Sequence, residues 1–252
     1  MPRPALNSQR LGDAARRPAW ERFALGAPER DQTSVSSVET RIPKIDEIAR
    51  PSCIGHHCVS LEESAYMEGP MMSTPRIAPI EPPYPADVQS AFDVVMRGAP
   101  PLLLFRTVAH NPRVLQRMMA GGLLDRGSIA LRARELMILR TCARCGAAYE
   151  WGVHVATFAA KAGIDERQQR STVHGTPDED CWDADDAIVL RLADRLHETN
   201  DVDDTLWAEA AARFSAPQLV ELVMLAGLYH AVAYLVNALR VAPEPFAPGF
   251  PS

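Results

Sequence analysis

Apolar residues recur at helical spacing over most of the chain after about residue 76, and no segment alternates apolar and polar residues as a half-buried strand would. The pattern predicts an all-α domain. Its helices are predicted at residues 86–97, 101–109, 112–120, 131–144, 147–162, 183–198, 203–213 and 217–240.

Local signals mark several helix ends. Gly163 is placed to end a helix as a C′ glycine. Ser215, followed by Pro217 and Gln218, is typical of an N-cap with an early proline and a capping-box partner.

Residues 1–75 differ from the rest of the chain. They are rich in Pro, Ser, Arg and Glu and show no sustained helical or strand period. Such a composition does not bury enough apolar surface to offset its ordering entropy, which predicts a disordered N-terminal extension before a domain at 76–247. Met71 or Met72 as the true start of the protein is the alternative.

The segment from Leu222 to Leu239 has no Asp, Glu, Lys or Arg over eighteen residues. That length makes a membrane span a candidate. His230, Asn237 and the amphipathic helices around the segment favour instead a central helix buried in an oligomer, because a helix apolar on all sides must be covered by protein.

Composition argues against a nucleic-acid-binding protein and against a secreted one. The 252 residues are 47% hydrophobic, and the net charge of −6 argues against a nucleic-acid partner. Five irregularly spaced cysteines do not form a secreted disulfide pattern, and the first twenty residues lack the apolar core of a signal peptide. A cytoplasmic protein is expected.

The candidate chemistry lies between residues 134 and 164. Glu150 and His154 are four residues apart, so they share one helical face, and Glu135 reaches them only if the preceding helix packs across. From spacing alone, a surface Glu–His pair and an exposed Glu remain the alternative. A carboxylate beside the imidazole would fix its tautomer or hold it charged.

Two groups of cysteines are further candidates. Cys142 and Cys145 are either small core thiols or a redox pair, although Cys142 lies near a helix C-terminus, which disfavours a thiolate. The segment CIGHHC supplies zinc-type ligands but no distant second pair, so chance clustering is expected and no metal site is predicted. Its potential ligands are Cys53, His56, His57 and Cys58.

The stretch from 134 to 164 resembles the signature helix pair of the carboxymuconolactone decarboxylase family, within the alkylhydroperoxidase D-like proteins. The resemblance rests on R-E-L-x-I-L-R, Y-E-W-x-x-H and A-x-x-A-G-I, and it covers roughly residues 76–245. It implies an alkylhydroperoxidase D-like helical bundle that assembles as a homo-trimer or homo-hexamer.

The redox motif of the alkylhydroperoxidase branch is C-x-x-C-x-x-x-H, with a glutamate nineteen residues before the histidine. Anchored on His154, that glutamate is Glu135, but the two cysteine positions fall on Ala147 and Glu150. The C-x-x-C of this chain is displaced by five residues from the family's dithiol.

The resemblance therefore implies the decarboxylase-like branch. Glu135, Glu150 and His154 are its expected catalytic residues, with Tyr149 and Trp151 as pocket walls. The expected reaction is cofactor-free proton transfer and decarboxylation on a small organic acid or lactone, with positive potential from Arg134, Arg140 and Arg144. The alternatives are a peroxiredoxin-type antioxidant using Cys142 and Cys145, and a non-catalytic oligomeric scaffold.

Overall fold

The structure, a computed structural model, describes residues 74–252. These residues are all-helical and contain no strand. In chain order the helices are α1 Ala86–Met96, α2 Leu103–Val108, α3 Pro112–Ala120, α4 Leu131–Arg144, α5 Ala148–His154, α6 Glu166–His174, α7 Ala184–Thr199, α8 Asp204–Ala211 and α9 Ala216–Ala238. The predicted fold class is confirmed for this part of the chain, whereas the predicted N-terminal disorder and the CIGHHC segment lie outside the described residues.

Two elements differ from the pattern-based prediction. The helix predicted at 147–162 ends as α5 at His154 and continues as a π-helical segment, Val155–Ala159. Helix α6 was not predicted, because its sequence is almost entirely polar and shows no apolar period. A reciprocal capping box between Asp165 and Gln168 starts it instead.

Helix α4 lies at the centre of the fold and packs against α5, α6, α7 and α9. Eight consecutive residues of α4, from Glu135 to Cys142, are buried, so the helix is covered on all sides. Its buried polar side chains must therefore find partners inside the protein.

Arg140 joins α4 to α6 and α7. Its guanidinium donates to both carboxylate oxygens of Asp194, at 2.6 and 2.8 Å, and to the carbonyls of Thr172 and Gly175. Arg144 donates to the same carboxylate at 2.7 Å. Although burial raises the pKa of Asp194, the two arginines outweigh it and lower that pKa. Arg140 and Arg144 thus both pair with the carboxylate of Asp194, which lies in the fold.

Helix α9 begins after Ser215, whose backbone N–H donates to Gln218 Oε1 at 2.9 Å. Its length and composition would suffice to cross a membrane, but a core helix passes the same test, and 44% of its most apolar window is buried in the chain. The other side of the helix is exposed and apolar, including Val220 (70% exposed), Met224 (59%) and Tyr234 (68%).

The last residues, 244–252, form a segment that we call the C-terminal strap. Tyr149 donates its hydroxyl proton to Glu244 Oε1 at 2.6 Å, and Leu103 N–H donates to the same oxygen at 2.5 Å. A Cβ atom at Gly152 would overlap the carbonyl oxygen of Pro248. The strap therefore lies directly on the backbone of α5.

Candidate active site

A carboxylate and an imidazole meet where α4 crosses α5. Glu135 Oε2 lies 2.7 Å from His154 Nδ1, and the side chains are 0% and 2% exposed. Because a carboxylate only accepts, Nδ1 carries the proton in this contact. The crossing of the helices thus brings together two residues that are nineteen positions apart.

The other imidazole nitrogen faces two further groups. His154 Nε2 lies 2.9 Å from the hydroxyl of Tyr229, which α9 supplies, and 3.4 Å from Glu150 Oε1. Glu150 and His154 lie one turn apart on one face of α5, as their spacing predicted. The ring is therefore held from three directions.

Arg134 balances the buried charge of Glu135. Its Nε and Nη2 atoms both lie 2.9 Å from Glu135 Oε1, and its Nη1 donates to the carbonyl of Leu124 at 2.8 Å. The guanidinium also lies 5.2 Å from the centre of the Phe158 ring. Of the three arginines considered from the sequence, Arg134 is the one that belongs to this cluster.

These contacts keep the imidazole charged. Burial lowers the pKa of His154, but the charge of Glu135 and hydrogen bonds to Glu135 and Glu150 outweigh it and raise the pKa to about 9. Burial, together with Glu150 and Glu135, raises the pKa of Tyr229 well above its usual value. At neutral pH the cluster therefore holds an imidazolium beside a neutral phenol.

A cavity of about 90 Å³ opens beside His154. Its lining is mostly apolar and comes from α1, α2, α5, the π-helical segment, the strap and the loops between them: Val95, Met96, Ala99, Leu102, Phe105, Leu124, Glu150, Val153, His154, Thr157, Phe158 and Phe246. Glu150 Oε2 is buried and has no hydrogen-bond partner within residues 74–252. The cavity thus places one acid and one incompletely bonded carboxylate next to a small apolar space.

Tyr149 and Trp151, expected as pocket walls, do not line this cavity. Tyr149 instead anchors the strap through Glu244, while Trp151 Nε1 donates to Thr172 at 3.0 Å and its ring packs on Phe250. The physical reason is helical geometry, because the immediate neighbours of Glu150 project from other sides of α5.

The two candidate redox cysteines differ in their surroundings. Cys142 is fully buried, and burial together with Glu150 raises its pKa well above the usual value. Cys145 is half-buried, burial raises its pKa, and its sulfur lies 3.6 Å from His197 Nδ1. Both are free thiols, and neither has a stabilised thiolate.

Tyr229 is the member of the cluster that sequence reasoning missed. It lies 75 residues after His154, in the mostly apolar helix α9, where a tyrosine is typical of an ordinary core position. No local spacing connects it with α5, so only the packing of α9 shows the contact.

No family model matches the chain, and none of the curated proteins does. Among solved structures, it is similar to an uncharacterized peroxidase-related protein from Silicibacter sp. TM1040, at 15% identity and a TM-score of 0.61. That match covers 72% of this chain and 100% of the other.

The debrominase Bmp8 is also similar. A cysteine-to-alanine variant of Bmp8 in complex with 2,3,4-tribromopyrrole matches at 14% identity, with a TM-score of 0.53, over 67% of this chain and 91% of the other. The apo form matches at 14% identity and 0.52, over 69% and 95%. The neighbours have the alkylhydroperoxidase D-like fold, and the described part of this chain has the same fold.

Proposed function

We propose that this protein is a cofactor-free enzyme that transfers protons on a small organic acid or lactone, as in carboxymuconolactone decarboxylation. The observation that carries the proposal is the buried contact of 2.7 Å between His154 and Glu135 at the wall of the cavity. Such a pair supplies a proton donor whose charge is already compensated inside the protein.

The proposed step uses His154 as the acid. The bond from the substrate carbon to its carboxylate breaks, carbon dioxide leaves, and the electron pair spreads into the conjugated system of the substrate. His154 Nε2–H then protonates the carbon. Glu135 stabilises the imidazolium before the transfer, and Glu150, whose Oε2 has no partner within residues 74–252, returns a proton from solvent.

The lining of the cavity limits the substrate. Lysine and arginine are absent from the described residues that line it, so His154 is the cationic group that a bound anion would meet there. A small ring or chain with one acidic or carbonyl group fits this arrangement better than a polyanion does.

A panel of small lactones and β,γ-unsaturated carboxylic acids tests the proposal. Loss of carbon dioxide and deuterium uptake from D₂O would be followed by NMR. We expect His154→Ala and Glu135→Gln to lower turnover about a hundred- to ten-thousandfold, and Cys181→Ser to leave it unchanged. Full turnover by either of the first two variants would contradict the assigned roles.

A thiol peroxidase is the competing function, because one structural neighbour is described as peroxidase-related. It would use Cys142 and Cys145, whose raised pKa values oppose it. Thiol titration with and without hydrogen peroxide separates the two functions. Peroxide-dependent loss of both thiols would favour the peroxidase. Thiols of Cys142 and Cys145 that do not react with peroxide would exclude that function.

A non-catalytic scaffold is the third alternative, and it should bind no small carboxylate saturably in a thermal-shift screen. Assembly as a homo-trimer or homo-hexamer is part of our proposal. The exposed apolar side of α9, with Val220, Met224 and Tyr234, supports it because large exposed apolar patches commonly mark subunit contacts. Sedimentation analysis would measure the assembly state.

A further inference from the structure

A second cluster of side chains lies at the C-terminal end of α4. Cys145 Sγ is 3.6 Å from His197 Nδ1 on α7, and that nitrogen is 3.1 Å from His230 Nε2 on α9. The candidate ligand atoms of the three residues all lie within 4.8 Å of one another. We propose that Cys145, His197 and His230 form a binding site for a divalent transition-metal ion, with Zn²⁺ as the best match.

The distances suit a tetrahedral ion. Zn²⁺ bonds of about 2.3 Å to sulfur and about 2.0–2.1 Å to nitrogen, at tetrahedral angles, separate sulfur from nitrogen by about 3.6 Å and two nitrogens by about 3.3 Å. The two observed separations, 3.6 and 3.1 Å, lie close to these values. Small side-chain adjustments would therefore complete the three-ligand geometry.

His197 Nδ1 is shared between two neighbours in this cluster. His230 Nδ1 donates to the carbonyl of Ala226 at 2.9 Å, so the neutral ring presents a bare lone pair at Nε2. If His197 Nδ1 donates its proton there, it has no lone pair for the thiol of Cys145. A metal ion accepts all three lone pairs at once, once the thiol has lost its proton.

The surroundings hold the ligands in place. The contact between His230 and the Ala226 carbonyl is the outer-shell bond that commonly orients a metal-bound imidazole. Asn237 Nδ2 donates to the backbone carbonyl of Cys145 at 2.9 Å and ties that residue to α9.

The donor set indicates the class of ion. One thiolate and two imidazoles suit Zn²⁺ and its spectroscopic substitute Co²⁺ better than Ca²⁺ or Mg²⁺, which prefer oxygen. All three residues are partly exposed, so an ion can enter and a fourth ligand can come from solvent. Tyr229 and His230 are adjacent on α9, so the acid–base cluster and this one lie on different sides of the same helix.

Titration of the full-length protein with Co²⁺ tests the site. The variant Cys53→Ser/Cys58→Ser serves as the background, since CIGHHC offers ligands of its own. We expect one equivalent to bind in this background, with the d–d bands of a tetrahedral ion and a thiolate-to-cobalt charge-transfer band. Zn²⁺ should displace the Co²⁺.

In the same background, Cys145→Ser should abolish the charge-transfer band, and His197→Gln or His230→Gln should weaken binding at least about 100-fold. Cys181→Ser is the matched control, because Cys181 is a free, partly exposed cysteine outside the cluster, and it should leave the spectrum unchanged. The proposal is overturned if the background variant binds no ion or if Cys145→Ser leaves the spectrum as it was.

Discussion

Two histidine clusters flank α9, and they differ in burial and in charge. His154 is buried, and its ring is surrounded by Glu135, Glu150 and Tyr229. The cluster of Cys145, His197 and His230 is partly exposed, and the pKa of its His197 is lowered. The same type of side chain is therefore held in two different states within one fold.

The comparison shows how surroundings assign chemistry to a histidine. Glu135 raises the pKa of His154, so that ring holds a proton and can give it to a substrate. Around His197, burial and a second imidazole lower the pKa, so that ring keeps a lone pair for a metal. The contact with a carboxylate therefore distinguishes His154, a proton donor, from His197, a candidate metal ligand.

The largest expected effect comes from removing the carboxylate of the buried cluster. Glu135→Gln leaves Arg134 and His154 without their shared counter-charge, and we expect the free energy of unfolding to fall by about 3–5 kcal/mol. Urea denaturation measures it. Glu209→Gln is the matched control, because its pair with Arg191 is exposed, and it should cost at most about 1 kcal/mol. Equal effects would show that the charge at 135 is not buried and paired.

The second largest expected effect is a pH dependence of stability that comes from His154. The pKa of His154 rises from 6.5 in the unfolded chain to about 9 in the fold. The contribution of His154 to the free energy of unfolding is therefore full below pH 6.5 and is lost as the pH rises through 9. At about 1.4 kcal/mol per pKa unit, the loss is on the order of 3 kcal/mol.

His197 does not obscure the loss near pH 9, because its pKa is lowered and its contribution to the free energy of unfolding no longer changes well above pH 6.5. Denaturation midpoints measured from about pH 6 to about pH 10 give the curve. The decline should shrink in Glu135→Gln, where the main cause of the raised pKa is gone. A flat curve in the native sequence would contradict the assignment of an imidazolium to His154.

A substitution at the contact between the strap and α5 should affect one cluster and not the other. Gly152→Ala should push the strap away from α5, because the new Cβ meets the Pro248 carbonyl, and we expect a cost of about 1–3 kcal/mol. The cavity beside His154 should change, since Phe246 of the strap lines it, while any Co²⁺ spectrum of the Cys145 cluster stays the same.

Gly227→Ala is the matched helical control. A Cβ at that position meets nothing within 4 Å, so the substitution should stabilise α9 by up to about 1 kcal/mol. Thermal denaturation compares the two variants. Equal stability changes for both would mean that the strap does not rest on Gly152.

The smallest effect is expected at Tyr229. Tyr229→Phe removes the hydroxyl at 2.9 Å from His154 Nε2 and leaves the ring in place, so stability should fall by about 1 kcal/mol. Tyr84→Phe is the control, because the Tyr84 ring packs on Phe92 and its hydroxyl makes no hydrogen bond within residues 74–252. Urea denaturation of both variants measures the difference, and no loss at Tyr229 would mean that the hydrogen bond adds nothing net.

Sequence pattern was a good guide where the determinants are local. Helical periodicity located most elements, and the spacing of Glu150 and His154 placed them on one face of α5. Glu135 was a candidate from the sequence, but spacing alone could not place it beside His154, because their contact depends on how α4 crosses α5. The π-helical segment and the polar helix α6 carry no apolar period that would predict them.

Contacts between residues far apart in the chain could not be predicted from the sequence. Tyr229 is 75 residues from His154, and 52 residues separate Cys145 from His197. Such contacts depend on the packing of α7 and α9 against α4, which no spacing along the chain encodes. Helical geometry directs Tyr149 and Trp151 away from the side of Glu150, but the strap residues that they contact, Glu244 and Phe250, could not be predicted from spacing.

The most direct test of the central claim is the titration of His154 itself. Imidazole NMR resonances, assigned by comparison with His154→Gln, would be followed from about pH 5 to about pH 10. We expect a pKa of about 9 for His154. A pKa at or below 6.5 would show that Glu135 does not hold the imidazole charged, and the proposed proton donor would be absent at neutral pH.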